Sequence, residues 1–96
     1  MLTGKQKRFL RSQAHHLDPI FQVGKGGVNQ NMIKQIADAL EARELIKVSV
    51  LQNCEEDKTV VAQELAQGSG AELVQIIGNT IVLYKESVEN KQITLP

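Results

Sequence analysis

The sequence predicts one α/β domain of the two-layer α+β kind, with element order α-β-α-β-α-β-β and a four-stranded mixed sheet. Three observations predict it. Segments whose apolar residues recur at helical spacing alternate with short segments whose apolar residues alternate singly. Each later helix is flanked by strands, which favours parallel strand direction, while the glycine-led Gly78-Asn79 link joins the last two strands as an antiparallel hairpin. A chain of 96 residues has room for one such domain and its core, and not for two.

The first helix is expected to start at Thr3, whose hydroxyl caps it while Gln6 reaches back in a capping box. Leu10, Ala14 and Leu17 fall at i, i+4 and i+7 and form a core-facing stripe. Arg8, Arg11 and His15 share a different face, with Lys5 beside it, and Phe9, between the two, is assigned to the core. Pro19 ends this helix and opens a short extended run, Ile20 to Val23. After the loop Gly24 to Gly27, Asn29 caps a second helix that reaches about Arg43. It is buried through Ile33, Ile36, Ala37 and Leu40, with Lys34 and Asp38 outward.

Leu45 to Leu51 alternates Ile46, Val48 and Val50 with Lys47 and Ser49, the period of a strand buried on one face. Asn53 is expected to cap a third helix whose first turn holds Glu55, Glu56 and Asp57, where the helix dipole favours acids. Val61 and Leu65 anchor it and Gly68-Ser69-Gly70 stops it. Glu72 to Ile77 and Thr80 to Tyr84 are the hairpin strands. The domain is thus expected to span residues 1–86, and residues 87–96 to form a flexible polar tail.

Charge is balanced, eleven Lys/Arg against eleven Asp/Glu, but unevenly distributed. Residues 1–48 hold eight basic and four acidic side chains, a net of +4, and residues 49–96 hold three and seven, a net of −4. Such a dipolar chain offers one basic surface to a phosphate polyanion; ordinary solvated charge is the competing explanation. The lone Cys54 excludes an internal disulfide or a cysteine zinc cluster, no run approaches the roughly 20 apolar residues of a membrane helix, and the first residues lack a signal-peptide core. A cytoplasmic protein is expected.

Chemistry concentrates at Gly24-Lys25-Gly26-Gly27. A Gly-x-x-Gly turn between a strand and a helix N-terminus lets backbone N–H groups meet an anion without Cβ atoms in the way. KH domains clamp a nucleic-acid backbone with a loop of this kind, and Lys25 at the tip would pair with phosphate. A tight turn that merely needs glycine is the plainer alternative. Asn29 stands where a dinucleotide fingerprint requires its third glycine, and no P-loop motif occurs.

No catalytic set emerges. His15 and His16 point about 100° apart on a helix and form no chelating pair, Cys54 has no nearby histidine, and Glu55 and Asp57 read as helix-start residues. Phe9, Phe21 and Tyr84 are the only aromatics, too few for a platform that stacks successive bases. Non-enzymatic binding through backbone and shape is the expectation, with no cofactor, metal or small-molecule substrate.

Several segments together carry a family resemblance: Leu2-Thr3 and Lys5; Ala14-His15-His16-Leu17 before Pro19; Gln22-Val23-Gly24-Lys25-Gly26-Gly27; Glu44-Leu45-Ile46-Lys47-Val48; and Gly70 to Gly78 with Thr80 to Tyr84. Over about residues 2 to 85 the sequence resembles a free-standing bacterial CRM domain of the YhbY-like group. The resemblance implies a fold similar to the C-terminal domain of translation initiation factor three and a GXXG loop that contacts RNA. It also implies association with precursors of the large ribosomal subunit. On this reading the RNA-binding residues are Gly24, Lys25, Gly26, Gly27, Lys5, Lys7, Arg8, Arg11 and Lys34, with Lys47 a weaker candidate. The expected partner is ribosomal RNA or a large-subunit precursor particle. Asn79 departs from the resemblance at a hairpin position expected to be basic, with Lys85 a possible partial substitute. A protein-interaction adaptor that docks on a ribosomal protein, through the acidic third helix or the hairpin edge, is the alternative.

Overall fold

The computed structural model describes residues 1–96. Helix α1 (Gly4–Ala14) begins with the expected capping box: Gln6 N–H donates to Thr3 Oγ1 at 3.1 Å and Thr3 N–H to Gln6 Oε1 at 3.0 Å. It ends at Ala14, not at Pro19. Leu17 donates its N–H to Ala14 in a turn and remains 37% exposed, outside the apolar stripe assigned to it. The chain has to leave the helix there, because Ile20 N–H must reach the Lys47 carbonyl at 3.0 Å to lead into strand β1 (Phe21–Val23).

Helix α2 (Gln30–Arg43) starts from Asn29, whose side chain accepts from Met32 N–H at 2.8 Å, and buries Ile36 and Leu40. Strand β2 (Leu45–Val50) follows, then α3 (Lys58–Ser69), β3 (Glu72–Ile77) and β4 (Thr80–Tyr84). Helix α3 starts later than expected. Asp57, not Asn53, is its N-cap, accepting from Thr59 N–H at 2.7 Å, and Glu55 and Glu56 lie in the preceding loop. Cys54 N–H donates to the Leu51 carbonyl, so that stretch closes on itself as a turn before the helix begins. Gly70, left-handed at φ 75°, ends α3 as expected.

Strand order is β1-β2-β4-β3. Strands β1 and β2 pair in parallel across α2, whereas β4 is antiparallel to both neighbours. The α3 crossover therefore carries β3 past a vacant position that β4 then fills, and β3 and β2 still run in the same direction. Helices α2 and α3 cover one face over the main core, which includes Val23, Ile36, Leu40, Val48, Val61, Leu65, Ile81 and Leu83. Helix α1 lies on the opposite face, where Leu10 and Ala14 meet Leu45, Val74, Val82 and Tyr84, with Phe9 packed against them.

The α2–α3 contact is close at Gly68, where an added Cβ would lie 2.6 Å from Ile33 Cδ1 and 3.1 Å from its Cγ1 and Cγ2. In an open helix Gly→Ala gains about 1 kcal/mol; here overpacking of about 1–3 kcal/mol opposes that gain. Gly68→Ala should accordingly lower stability by about 1 kcal/mol in urea unfolding. Adding Ile33→Ala should relieve the crowding, so that the two changes are non-additive.

The last ten residues form no helix or strand, and they lie hydrogen-bonded and packed against the domain. Ser87 is buried, and Ile93 and Leu95 pack against the α1 cluster. Two carboxylates near the end of α2 tie the segment down. Glu41 accepts from Val88 and Glu89 N–H, each at 2.9 Å, and from the Ser87 hydroxyl at 2.7 Å. Glu44, 0% exposed, accepts from Ser87, Gln92 and Ile93 N–H at 2.8, 2.6 and 2.8 Å. The polar composition that suggests a free tail instead supplies backbone donors to the buried Glu44 and the half-buried Glu41.

These bonds set a pH dependence. The Val88 amide, then those of Glu89 and the Ser87 hydroxyl, lower the Glu41 pKa to about 2. Burial pushes Glu44 up, but the amides of Ser87, Gln92 and Ile93 and the charge of Lys91 outweigh it, leaving Glu44 below its ordinary value. Both groups bind protons less readily when folded, so their contribution is complete above the ordinary value of 4.5 and is lost as pH falls below it, for Glu41 toward about 2. Protection factors of the Val88, Glu89 and Ile93 amides, taken relative to intrinsic exchange at each pH, should fall across that window; protection unchanged down to its lower limit would mean other contacts hold the segment.

Candidate nucleic-acid interface

Parallel pairing of Val23 with Val50 brings the C-terminal ends of β1 and β2 together, and Val50 N–H donates to the Asn79 carbonyl at 2.7 Å. The glycine loop, the 51–57 loop and the β3–β4 turn therefore share one end of the sheet. Gly24 to Gly27 form a tight turn closed by Gly27 N–H donating to the Gly24 carbonyl at 3.0 Å. That bond uses the Gly27 amide, leaving the amides of Lys25 and Gly26 as the free donors at the tip, and Lys25 is exposed there.

The glycines have different reasons. Gly27 sits at φ 67°, and a Cβ there would lie 3.1 Å from Glu56 Oε1, so the turn itself requires it. Gly24 and Gly26 have no such need. A Cβ on Gly24 would make ordinary contacts of 3.5 Å with Asn53 and 3.6 Å with Leu51, and one on Gly26 would meet nothing within 4 Å. Behind Gly27, Glu56 faces Glu64, and the hydrogen bond between the two carboxyls, with burial and mutual repulsion, raises the Glu56 pKa. Glu56 thus occupies the Gly27 side of the turn, while the free amides are those of Lys25 and Gly26.

On α1, Lys5 and Arg8 are exposed and Lys7 and Arg11 half-buried. Arg11 lines a shallow cavity of about 400 Å³ with Ser12, His15, His16, Gln75 and Ile77. Lys34 stands one turn into α2, exposed on the other face of the sheet, so a ligand touching both Arg11 and Lys34 must wrap around the loop end. None of these cations is ion-paired; the one ion pair of the molecule joins Lys91 and Glu86 at 2.9 Å.

One basic residue falls elsewhere than sequence reasoning puts it, and another is one that reasoning did not single out. Lys85 lies at the far end of β4 from the Gly78-Asn79 turn, its Nζ donating to the Ser69 carbonyl at 3.0 Å, and so cannot replace a basic hairpin residue. Lys58 can, because its Nζ donates to the Gly78 carbonyl at 2.6 Å and brings positive charge to the turn beside Asn79. No spacing signal could have found it, since the two residues are 20 apart in the chain.

Fold and site together define a small α+β domain with a cationic glycine loop at one end of its sheet. The chain belongs to the CRS1 / YhbY (CRM) domain family, whose description matches residues 2–85. It is 83% identical over 96 residues to the probable RNA-binding protein YqeI of Bacillus subtilis, with both chains covered completely. An RNA-binding protein of Haemophilus influenzae is 40% identical over 95 residues, covering 99% of this chain and 95% of that one. The solution structure of the hypothetical protein SAV1595 from Staphylococcus aureus superposes with a TM-score of 0.83 at 66% identity, over the whole of both chains. No helix is long and apolar enough to cross a membrane.

Proposed function

We propose that this protein is a cytoplasmic, non-enzymatic RNA-binding factor that grips structured ribosomal RNA of the large subunit, or its precursor particle, through the Gly24–Gly27 loop and the basic flank of α1. The observation that carries this reading is that Gly24 and Gly26 are glycines the fold does not need. With exposed Lys25 between them, a phosphate can approach the Lys25 and Gly26 amides and the Lys25 ammonium together. Gly27 shapes the turn, and Lys5, Lys7, Arg8, Arg11 and Lys34 widen the footprint.

Four to six phosphate contacts, at about 0.7 released counterions each on single-stranded RNA, give a log–log salt slope of roughly −3 to −4. Fluorescence anisotropy of labelled large-subunit ribosomal RNA fragments, titrated across salt, should return that slope. A salt-insensitive complex would count against the phosphate clamp, and retention on nuclease-treated particles through a purified ribosomal protein would favour the adaptor.

A further inference from the structure

Helix α1 covers only part of its face of the sheet. Alternation along the strands puts Gln22, Lys47, Ser49, Gln75, Ile77 and Thr80 on that face, since their neighbours Val23, Ile46, Val48, Ile76 and Ile81 point into the opposite core. Pairing then aligns them. Gln22 is opposite Ser49, Ser49 opposite Thr80, and Thr80 opposite Ile77, a row across all four strands at the glycine-loop end. A second row, Lys47–Val82–Gln75, lies between it and α1.

The first row has no helix over it. Gln22 is exposed, Ser49 and Thr80 are half-buried, and Ile77 is 54% exposed. These rows contain no carboxylate; Lys47 lies in the floor, Lys25 at one rim, and Arg11 on the α1 wall with Arg8 one turn earlier on the same flank. The hydroxyls and amides of Ser49, Thr80, Gln22 and Gln75 each offer both donors and acceptors, and none is used within the chain.

From this we propose that the uncovered first row, with Lys47 and Gln75 at the two ends of the second, is the floor of a track for an unpaired RNA segment, whose base edges meet Gln22, Ser49, Thr80 and Gln75 while its phosphates lie between Lys25 and the Arg8/Arg11 wall. The inference rests on the RNA-binding reading above and adds a base-reading surface to it. A floor made only to hold phosphates would be cationic throughout; mixed donors and acceptors suit base edges, which pairing in a duplex hides. Ile77 supplies apolar surface for a base face.

The test compares anisotropy of a labelled unpaired oligoribonucleotide and of a fully paired RNA hairpin stem against wild type, a Gln22→Ala, Thr80→Val variant and a Lys25→Asp, Gly26→Asp variant, each confirmed folded by circular dichroism. The sheet variant should bind the unpaired strand about tenfold more weakly, with its salt slope unchanged and its stem affinity unaltered. Photo-crosslinking of 4-thiouridine RNA to wild type should mark peptides from β2 and β4, a readout that does not depend on a variant folding. If the folded sheet variant binds as wild type while the loop variant loses binding, or if crosslinks map to α2 and α3, the track is refuted and the RNA function stands. If wild type binds neither RNA, the function itself fails.

Discussion

The Lys25→Asp, Gly26→Asp double variant is expected to fold normally and to lose roughly a hundredfold in RNA affinity, about 2.7 kcal/mol. Normal folding follows from the open space around Gly26 and the exposure of Lys25 at a turn whose strained position is Gly27. The affinity loss follows because one cation is removed and two carboxylates are placed beside the free amides that would receive phosphate, where each charge-assisted contact is worth about 1.5–3 kcal/mol. The variant's salt slope should also be flatter than the wild type's by about one phosphate equivalent. Anisotropy with circular dichroism checks both; unchanged affinity in the folded variant would leave the glycines as turn residues and move the case to the adaptor.

Glu44→Ala should destabilise the fold by about 2–4 kcal/mol, lowering Tm by something on the order of 15 °C. Glu44 is fully buried, caps α2 at φ 66°, and satisfies three backbone N–H groups of the terminal segment. Its own backbone is used as well, the N–H donating to Leu40 at 2.7 Å and the carbonyl accepting from Lys85 at 2.9 Å. Truncation orphans the three amides or releases residues 87–96 to water, with loss of the Ile93 and Leu95 packing beside α1. Glu44→Gly relieves the positive φ yet still lacks the carboxylate, so it should recover only about 1 kcal/mol. Differential scanning calorimetry of both separates the two causes; a Glu44→Gly protein as stable as wild type would show that conformation, not the carboxylate, is what position 44 requires.

Much of this was legible in local chemistry. The capping box at Thr3 and Gln6, the Asn29 cap, the alternation of Leu45 to Val50 and the Gly78-Asn79 hairpin all depend on residues a few positions apart, and each appears where expected. Helix ends were less legible. Asn53 and Asp57 are both good caps, and the choice of Asp57 follows from the closed turn at Leu51–Cys54. Pro19 stops any helix, but α1 stops earlier because Ile20 has to reach Lys47.

The candidate site divides in the same way. Local pattern was enough for the loop, its lysine and the basic helix, because turn chemistry, capping and side-chain periodicity act over one or two turns of chain. Pairing between distant segments settled the remainder: the position of β4 between β2 and β3, Lys58 at the Gly78 carbonyl, the row Gln22–Ser49–Thr80–Ile77, and the docking of residues 87–96 on Glu41 and Glu44. Each joins groups far apart in the chain, and their selection depends on which arrangement buries both apolar clusters and satisfies the backbone at once, a property of the whole packed molecule and of no local stretch.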